Sequence, residues 1–225
     1  MTLSATELSE QRHVNGSLYN TDMENIQQTK SEYRKQIRAK LEALPEEYRS
    51  SASSTIAVNA LSLPEMRKAK TVLVYYSVGT EPGTLAIISK LLEAGKKVCL
   101  PRCIDFDEEG KRTDTVDAME ARLIKSFDDL VPGAYGIPEP GPLTKVIKPG
   151  KIDLIMLPCL ACDSRCNRIG HGAGYYDKYL KTVKPKCFTM ALCYEELIAD
   201  ELPTEPHDMP VDAVITEKQV YRWRR

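Results

Sequence analysis

The sequence predicts an α/β protein built on a mostly parallel open sheet, and three stretches carry that expectation. Residues 152–157, IDLIML, form an apolar run closed by Pro158, the pattern of a strand covered on both faces. Residues 71–100 read strand, helix, strand, the βαβ unit that brings a parallel pair and a right-handed crossover. Arg168, then Gly170, Gly172 and Gly174 at every second position, leads into Tyr176, Tyr179, Leu180 and Val183 at helical spacing. A glycine loop between strand and helix presents backbone N–H groups to an anion. Glycine removes the Cβ from its path, and the helix start adds about half a positive charge.

Composition narrows the class. At 225 residues, 42% hydrophobic and 28% charged, the chain suffices for one core, so residues 26–225 are expected as a single domain. Residues 1–25 are polar and aperiodic and are expected as a flexible tail. A formal net charge of −1, with basic and acidic residues interspersed, gives no field for nucleic acid. No run of 18 apolar residues is present, which argues against a membrane span. The opening MTLSATELSEQRHVNG has neither a basic start nor an apolar segment, unlike an export signal. Seven cysteines without an export signal suggest reduced thiols and a cytoplasmic protein.

Taken in order, Thr29-x-x-Glu32 resembles a capping box opening a helix whose stripe is Tyr33, Ile37, Leu41 and Leu44, with Pro45 as its stop. Lys30, Arg34 and Lys35 fall in its first two turns, where a solvated basic face is the ordinary outcome. A second helix is expected from Ser51 to about Leu63, ended by Pro64. Residues 71–76 form a strand, and SVGTEPGT a turn-rich loop with Pro82 at the next helix's first turn. Leu85, Ile88 and Leu92 make that helix's stripe, which Gly95 ends, and residues 97–100 are a strand closed by Pro101. DFDEEGKRTD reads as an exposed hairpin or loop, and residues 127–142 as irregular chain rich in proline and glycine. Residues 187–193 are a strand, 195–198 a short helix and 212–216 a last strand.

The glycine run matches neither GxxxxGK[ST] nor G-x-G-x-x-G, and a plain structural turn is its competing explanation. Its flanks favour a phosphate. Arg168 offers a guanidinium to phosphate oxygens, and Asp177 a carboxylate to the Mg²⁺ that accompanies nucleotides.

The segments KSEYR (30–34), YYSVGTEPGT (75–84), LPR (100–102), YGIPEP (135–140), DLIMLPCLACDSRCNRIGHGAGYYDKYL (153–180) and HDMPVDAVIT (207–216) resemble, in this order, the 5-formyltetrahydrofolate cyclo-ligase family, also called methenyltetrahydrofolate synthetase. The resemblance implies a three-layer α/β/α sandwich with a Rossmann-like sheet, acting on small molecules as a monomer. It also implies conversion of 5-formyltetrahydrofolate to 5,10-methenyltetrahydrofolate, with ATP as co-substrate, Mg²⁺ as cofactor, and phosphorylation of the formyl oxygen as the activating step. Carried over by position, Lys30 and Arg34 would meet ATP phosphates, joined by Arg168, Gly170, His171, Gly172, Ala173, Gly174, Tyr175 and Tyr176. Arg168 and Lys30 would act in catalysis. Tyr76, Glu81, Tyr135, His171, Gly172, Gly174 and Tyr175 would line the folate, and Asp177 and Asp212 would hold the metal.

The chain departs from the family pattern at Cys159, Cys162 and Cys166, and at His171 and Ala173 within the loop. Cys159, Cys162, Cys166 and His171, spaced C-x2-C-x3-C-x4-H, suggest an alternative, a zinc or iron–sulfur protein, against the commoner fate of buried packing. A second alternative is a non-catalytic nucleotide- or folate-binding paralogue, which would be expected to lose the charged residues that this chain keeps.

Overall fold

A computed structural model of the protein describes residues 29–104, 119–133, 136–205 and 208–223. A first helix, α1, runs through residues 29–43 and buries Ile37 and Leu41, with Tyr33 packed beside them. Thr29 is the first described residue of this helix, and Glu32 lies within it. Helix α2, Glu46–Ser62, starts five residues earlier than expected. Glu46 and Glu47 occupy its first turn, where the positive helix end favours acids, and Ala52, Ile56, Ala57 and Ala60 are its buried stripe. Pro64 begins a further short helix, α3 (Pro64–Lys68), because a proline at the first helical position sacrifices no hydrogen bond.

The remaining elements follow in order: β1 (Thr71–Leu73), α4 (Leu85–Glu93), β2 (Lys97–Cys103), β3 (Met119–Ile124), β4 (Leu130–Pro132), β5 (Pro138–Pro140), β6 (Leu154–Leu157), β7 (Ala161–Asp163), β8 (Arg168–Ile169), α5 (Tyr175–Leu180), β9 (Phe188–Leu192), β10 (Ile198–Ala199), β11 (Ala213–Ile215) and β12 (Val220–Arg222). Seven strands form the central sheet in the order β12-β11-β9-β6-β1-β2-β3. The five central strands are parallel, and β3 and β12 flank them antiparallel. Val72, Leu73, Ile155, Met156, Ala191 and Val214 are fully buried, which explains why these strands are apolar without alternation. A three-stranded sheet, β10-β7-β8, and a β4-β5 ribbon sit beside the main one.

The strand order directs the site. From β1 the chain crosses through α4 to β2 on one side; from β6 it crosses through α5 to β9 on the other. Right-handed crossovers in opposite directions place those helices on opposite faces, which makes the three-layer sandwich. The reversal falls between β1 and β6, and at such a point the loops beyond the carboxyl ends part to leave a crevice.

Several boundaries differ from the sequence expectation. The loop 76–84 stays outside α4, which begins at Leu85, so Pro82 is a loop residue. Strand β2 continues through Pro101, which lies past Cys99, the last β2 residue paired with β1 (to Leu73), so the missing N–H forfeits no bond on that side. Residues 130–132 and 138–140 pair as a ribbon rather than remaining irregular, and the edge strands β3 and β12 add to the expected elements. The DFDEEGKRTD segment, the 1–25 tail and Tyr135 lie outside the described residues. No helix among the described residues is long and apolar enough to cross a membrane.

Candidate active site

The crevice between β1 and β6 opens into a cavity of about 690 Å³. One wall is the loop after β1. Tyr75 is buried and its hydroxyl donates to the carbonyl of Pro82 at 2.9 Å; Thr84 Oγ1 donates to the carbonyl of Tyr75 at 2.7 Å. Two reciprocal bonds between Ser77 and Thr84 close the loop. Held this way, Tyr76, Val78 and Glu81 face the cavity. Glu81 is largely buried. Its Oε2 accepts from the Val78 N–H at 2.9 Å, and its Oε1 lies 2.9 Å from Nε2 of His171.

The facing wall is the glycine loop. It follows the β7–β8 hairpin rather than β6 directly, since Asp163 receives the N–H groups of Arg165 and Asn167 and turns the chain back. Gly172 has φ of 110°, a conformation that side chains rarely adopt, and lies beside Arg34, which an added Cβ would meet at ordinary contact distance. Gly174, at φ 74°, takes the left-handed turn that opens α5, and its carbonyl accepts from Lys178. Helix α1 fixes this loop from outside: Arg34 Nε donates to the carbonyl of Gly170 at 3.0 Å, and Arg38 Nη2 to that of His171 at 3.2 Å.

Arg168 is a buried cation of the site. Its side chain is only 6% exposed, and Nη2 donates to Asp177 Oδ1. Its Nε is buried and has no hydrogen-bond partner among the described residues. The Tyr176 hydroxyl on the same wall is likewise buried without a partner, and burial pushes its pKa up, so it remains a proton donor. Buried donors left open at a cavity wall call for an acceptor from water, an ion or a ligand.

Lys30, also buried, donates to Glu205 Oε2 at 2.6 Å and to Asp208 Oδ2 at 2.5 Å. Neither acid was singled out from the sequence, although Asp208 lies in the HDMPVDAVIT run. Glu139 is a further acid on the cavity wall, received by the close approach of Gly133, where a Cβ would stand 2.5 Å from its side chain. An acid among prolines carries no spacing signal, and only the ribbon of β4 and β5 brings it inward.

Of the residues expected from the sequence, Lys30, Arg34, Tyr76, Glu81, Arg168, Gly170, His171, Gly172, Ala173, Gly174, Tyr175, Tyr176 and Asp177 line this one cavity. Asp212 does not. It stands at the amino-terminal start of β11, where its Oδ2 accepts from both N–H and hydroxyl of Thr189 at 2.9 and 3.0 Å. The parallel sheet turns its opposite edge to the crevice, so the pairing of Asp177 with Asp212 at a carboxyl edge is corrected. Asp208, four residues earlier, occupies the cavity instead.

The thiols also regroup. Cys159 and Cys162 meet Cys193, while Cys166 sits in the hairpin turn at φ 66° and His171 faces Glu81. The C-x2-C-x3-C-x4-H set therefore does not assemble.

A switch-point cleft in a three-layer sandwich, lined by buried cations and carboxylates, defines an α/β enzyme of small ligands. Residues 26–217 match the model of the 5-formyltetrahydrofolate cyclo-ligase family, and the chain belongs to that family. The chain is 31% identical over 201 residues to 5-formyltetrahydrofolate cyclo-ligase of Mus musculus, covering 85% of this chain and 95% of the relative. The Saccharomyces cerevisiae relative of the same name is 30% identical over 210 residues, covering 87% and 98%. The solved structure of Aquifex aeolicus 5,10-methenyltetrahydrofolate synthetase is similar with a TM-score of 0.74 and 32% identity, over 87% of this chain and 93% of that one.

Proposed function

We propose that the protein converts 5-formyltetrahydrofolate to 5,10-methenyltetrahydrofolate with ATP and Mg²⁺, releasing ADP and phosphate. The observation that carries this reading is Arg168: a buried guanidinium with an open Nε, beside the glycine loop, in the same cavity as Glu81. A formyl amide oxygen is a poor leaving group. Transfer of the γ-phosphoryl group to that oxygen expels ADP, N10 attacks the activated carbon, and phosphate departs with the former formyl oxygen. The protein contributes position and charge neutralisation more than covalent chemistry.

Arg168 and Lys30 take the catalytic roles, meeting the transferred phosphoryl group as their present acidic partners make way. Arg34, bonded to the loop from α1, and residues Gly170, His171, Gly172, Ala173, Gly174, Tyr175 and Tyr176 form the ATP cradle. Tyr76 and Glu81, with Tyr135 from beyond the described residues, receive the folate, Glu81 accepting from pterin amino and ring N–H groups. His171, Gly172, Gly174 and Tyr175 border both ligands.

The donor set suits magnesium, which takes one or two carboxylates together with phosphate oxygens and water. Asp177 and Asp208 both line the cavity; each has one oxygen engaged, by Arg168 and by Lys30 with the Glu205 N–H respectively. Bound there, Mg²⁺ would neutralise charge developing on the phosphates. The seven free thiols suit a reducing cytoplasm. The test is product formation followed by methenyl absorbance: turnover that requires both ATP and Mg²⁺, with one ADP and one phosphate per product, supports the reading. No product from folded enzyme at stoichiometric concentration would instead favour a binding paralogue.

A further inference from the structure

We propose that Cys159, Cys162 and Cys193 form a binding site for one cuprous ion, separate from the ATP and folate cleft. The three sulfurs lie within 4.8 Å of one another, and the Cys159 and Cys162 sulfurs are 3.5 Å apart. All three side chains are buried. They come from three segments: Cys159 from the loop beyond β6, Cys162 from β7, and Cys193 from the residue after β9. With metal–sulfur bonds of about 2.3 Å, three sulfurs around one ion in a plane stand roughly 4 Å apart, within the spread seen here.

The donor set selects the ion. Structural zinc is almost always held by four donors in a tetrahedron, and iron–sulfur clusters by four ligands. Among the described residues no histidine, carboxylate or fourth thiol joins this group. The nearest recorded oxygens are main-chain carbonyls, of Leu192 at 3.2 Å from the Cys159 sulfur and of Tyr194 at 3.5 Å from that of Cys193. Soft thiolates with no hard fourth ligand favour Cu(I) among biological cations. Copper enters and stays as Cu(I), so no electron is transferred; the thiol protons it displaces pass to solvent.

Packing of three small thiols is the competing explanation, and two features argue for more. Cysteines at C-x2-C spacing bring their sulfurs to 3.5 Å, and a third thiol arrives from a different strand. The group also lies next to the cleft, since Pro158, beside Cys159, lines it. A regulatory disulfide is disfavoured by burial, since reactive thiols are characteristically accessible.

The test uses the full, reduced chain, mixed anaerobically with Cu(I) and challenged with a cuprous chelator. The expected result is one retained copper per chain, with X-ray absorption at the copper edge reporting three sulfur neighbours. Cys162→Ala and Cys193→Ala, each confirmed as folded by circular dichroism, should weaken copper binding by at least about 100-fold, beyond the 10–100-fold that loss of an outer hydrogen-bonding partner brings. Cys187→Ala, which removes an equally buried thiol elsewhere, should leave it unchanged. No copper retained by the wild-type chain, wild-type retention by both cluster variants, or a two-sulfur site would overturn the proposal.

Discussion

At the amino edge of the central sheet, Asp153 accepts from the N–H groups of Lys70 and Thr71 and from Lys184, and Asp212 accepts twice from Thr189. At the carboxyl edge, Asp177 and Asp208 each face a cavity with one oxygen engaged, and Arg168 keeps an open Nε inside the protein wall. The residue types are the same and the surroundings opposite. An aspartate at the start of a parallel strand can be absorbed locally, because neighbouring strands begin there with backbone donors and short polar side chains. At the other edge, beyond the β1–β6 reversal, loops diverge and the carboxylates pair with buried cations on a cavity wall, each with one oxygen engaged. The difference teaches that the direction of a strand, more than the presence of an acid beside it, decides whether a carboxylate is taken up by neighbouring strand starts or faces the cleft.

The comparison can be broken most forcefully at Arg168. Arg168→Ala should lower single-turnover product formation by roughly 10³-fold or more, the scale of arginines that neutralise a transferred phosphoryl group. A loss under about 10-fold would return Arg168 to a structural pairing with Asp177. Next in size is Glu81→Gln, expected to weaken folate binding about 10–100-fold while ATP affinity is unchanged, as for loss of a charge-assisted hydrogen bond. Calorimetric titration of each ligand separates this from a simple loosening of the His171 contact, which would lower thermal stability and spare folate affinity.

The smallest effect belongs to the amino edge. Burial resists ionisation of Asp153, but Lys184 and the N–H groups of Thr71 and Lys70 outweigh it and hold the carboxyl below its ordinary value of 3.8. A depressed folded value means that the stabilisation is complete above the unfolded value and is lost as pH falls through the folded one. Asp153→Asn should therefore lower the melting temperature at pH 7 by about 1–3 °C, as for an exposed pair. That gap should shrink as pH drops below 3.8. Catalysis should be unaffected. A gap that persists undiminished in acid would assign the effect to packing.

Much of this molecule is legible in the chain because its central strands are buried on both faces and so appear as continuous apolar runs, as at residues 154–157. The glycine loop is legible too, since the positive φ values at Gly172 and Gly174 are conformations that side chains resist. Edge strands such as β3, MEARLI, alternate weakly and take their pairing from a distant partner, so nothing local announces them. Glu139, Glu205 and Asp208 reach the cleft only through tertiary pairing, from a proline-rich ribbon and a loop without periodicity. Asp212 misled because strand polarity relative to the crevice is a property of the assembled sheet. Cys193 joined Cys159 and Cys162 for the same reason: β6 and β9 are neighbours in the sheet although far apart in sequence.

The most direct test of the account is a magnesium titration of turnover at saturating ATP and folate, run side by side on Asp177→Asn, Asp208→Asn and Asp212→Asn. The first two should each raise the Mg²⁺ concentration for half-maximal rate by about 10-fold or more, and their combination should be little worse than either, as for residues sharing one ion. Asp212→Asn should titrate like the wild-type chain and show only a lowered melting temperature. A raised magnesium requirement in Asp212→Asn, with Asp208→Asn unchanged, would contradict the assignment of the metal to the carboxyl edge.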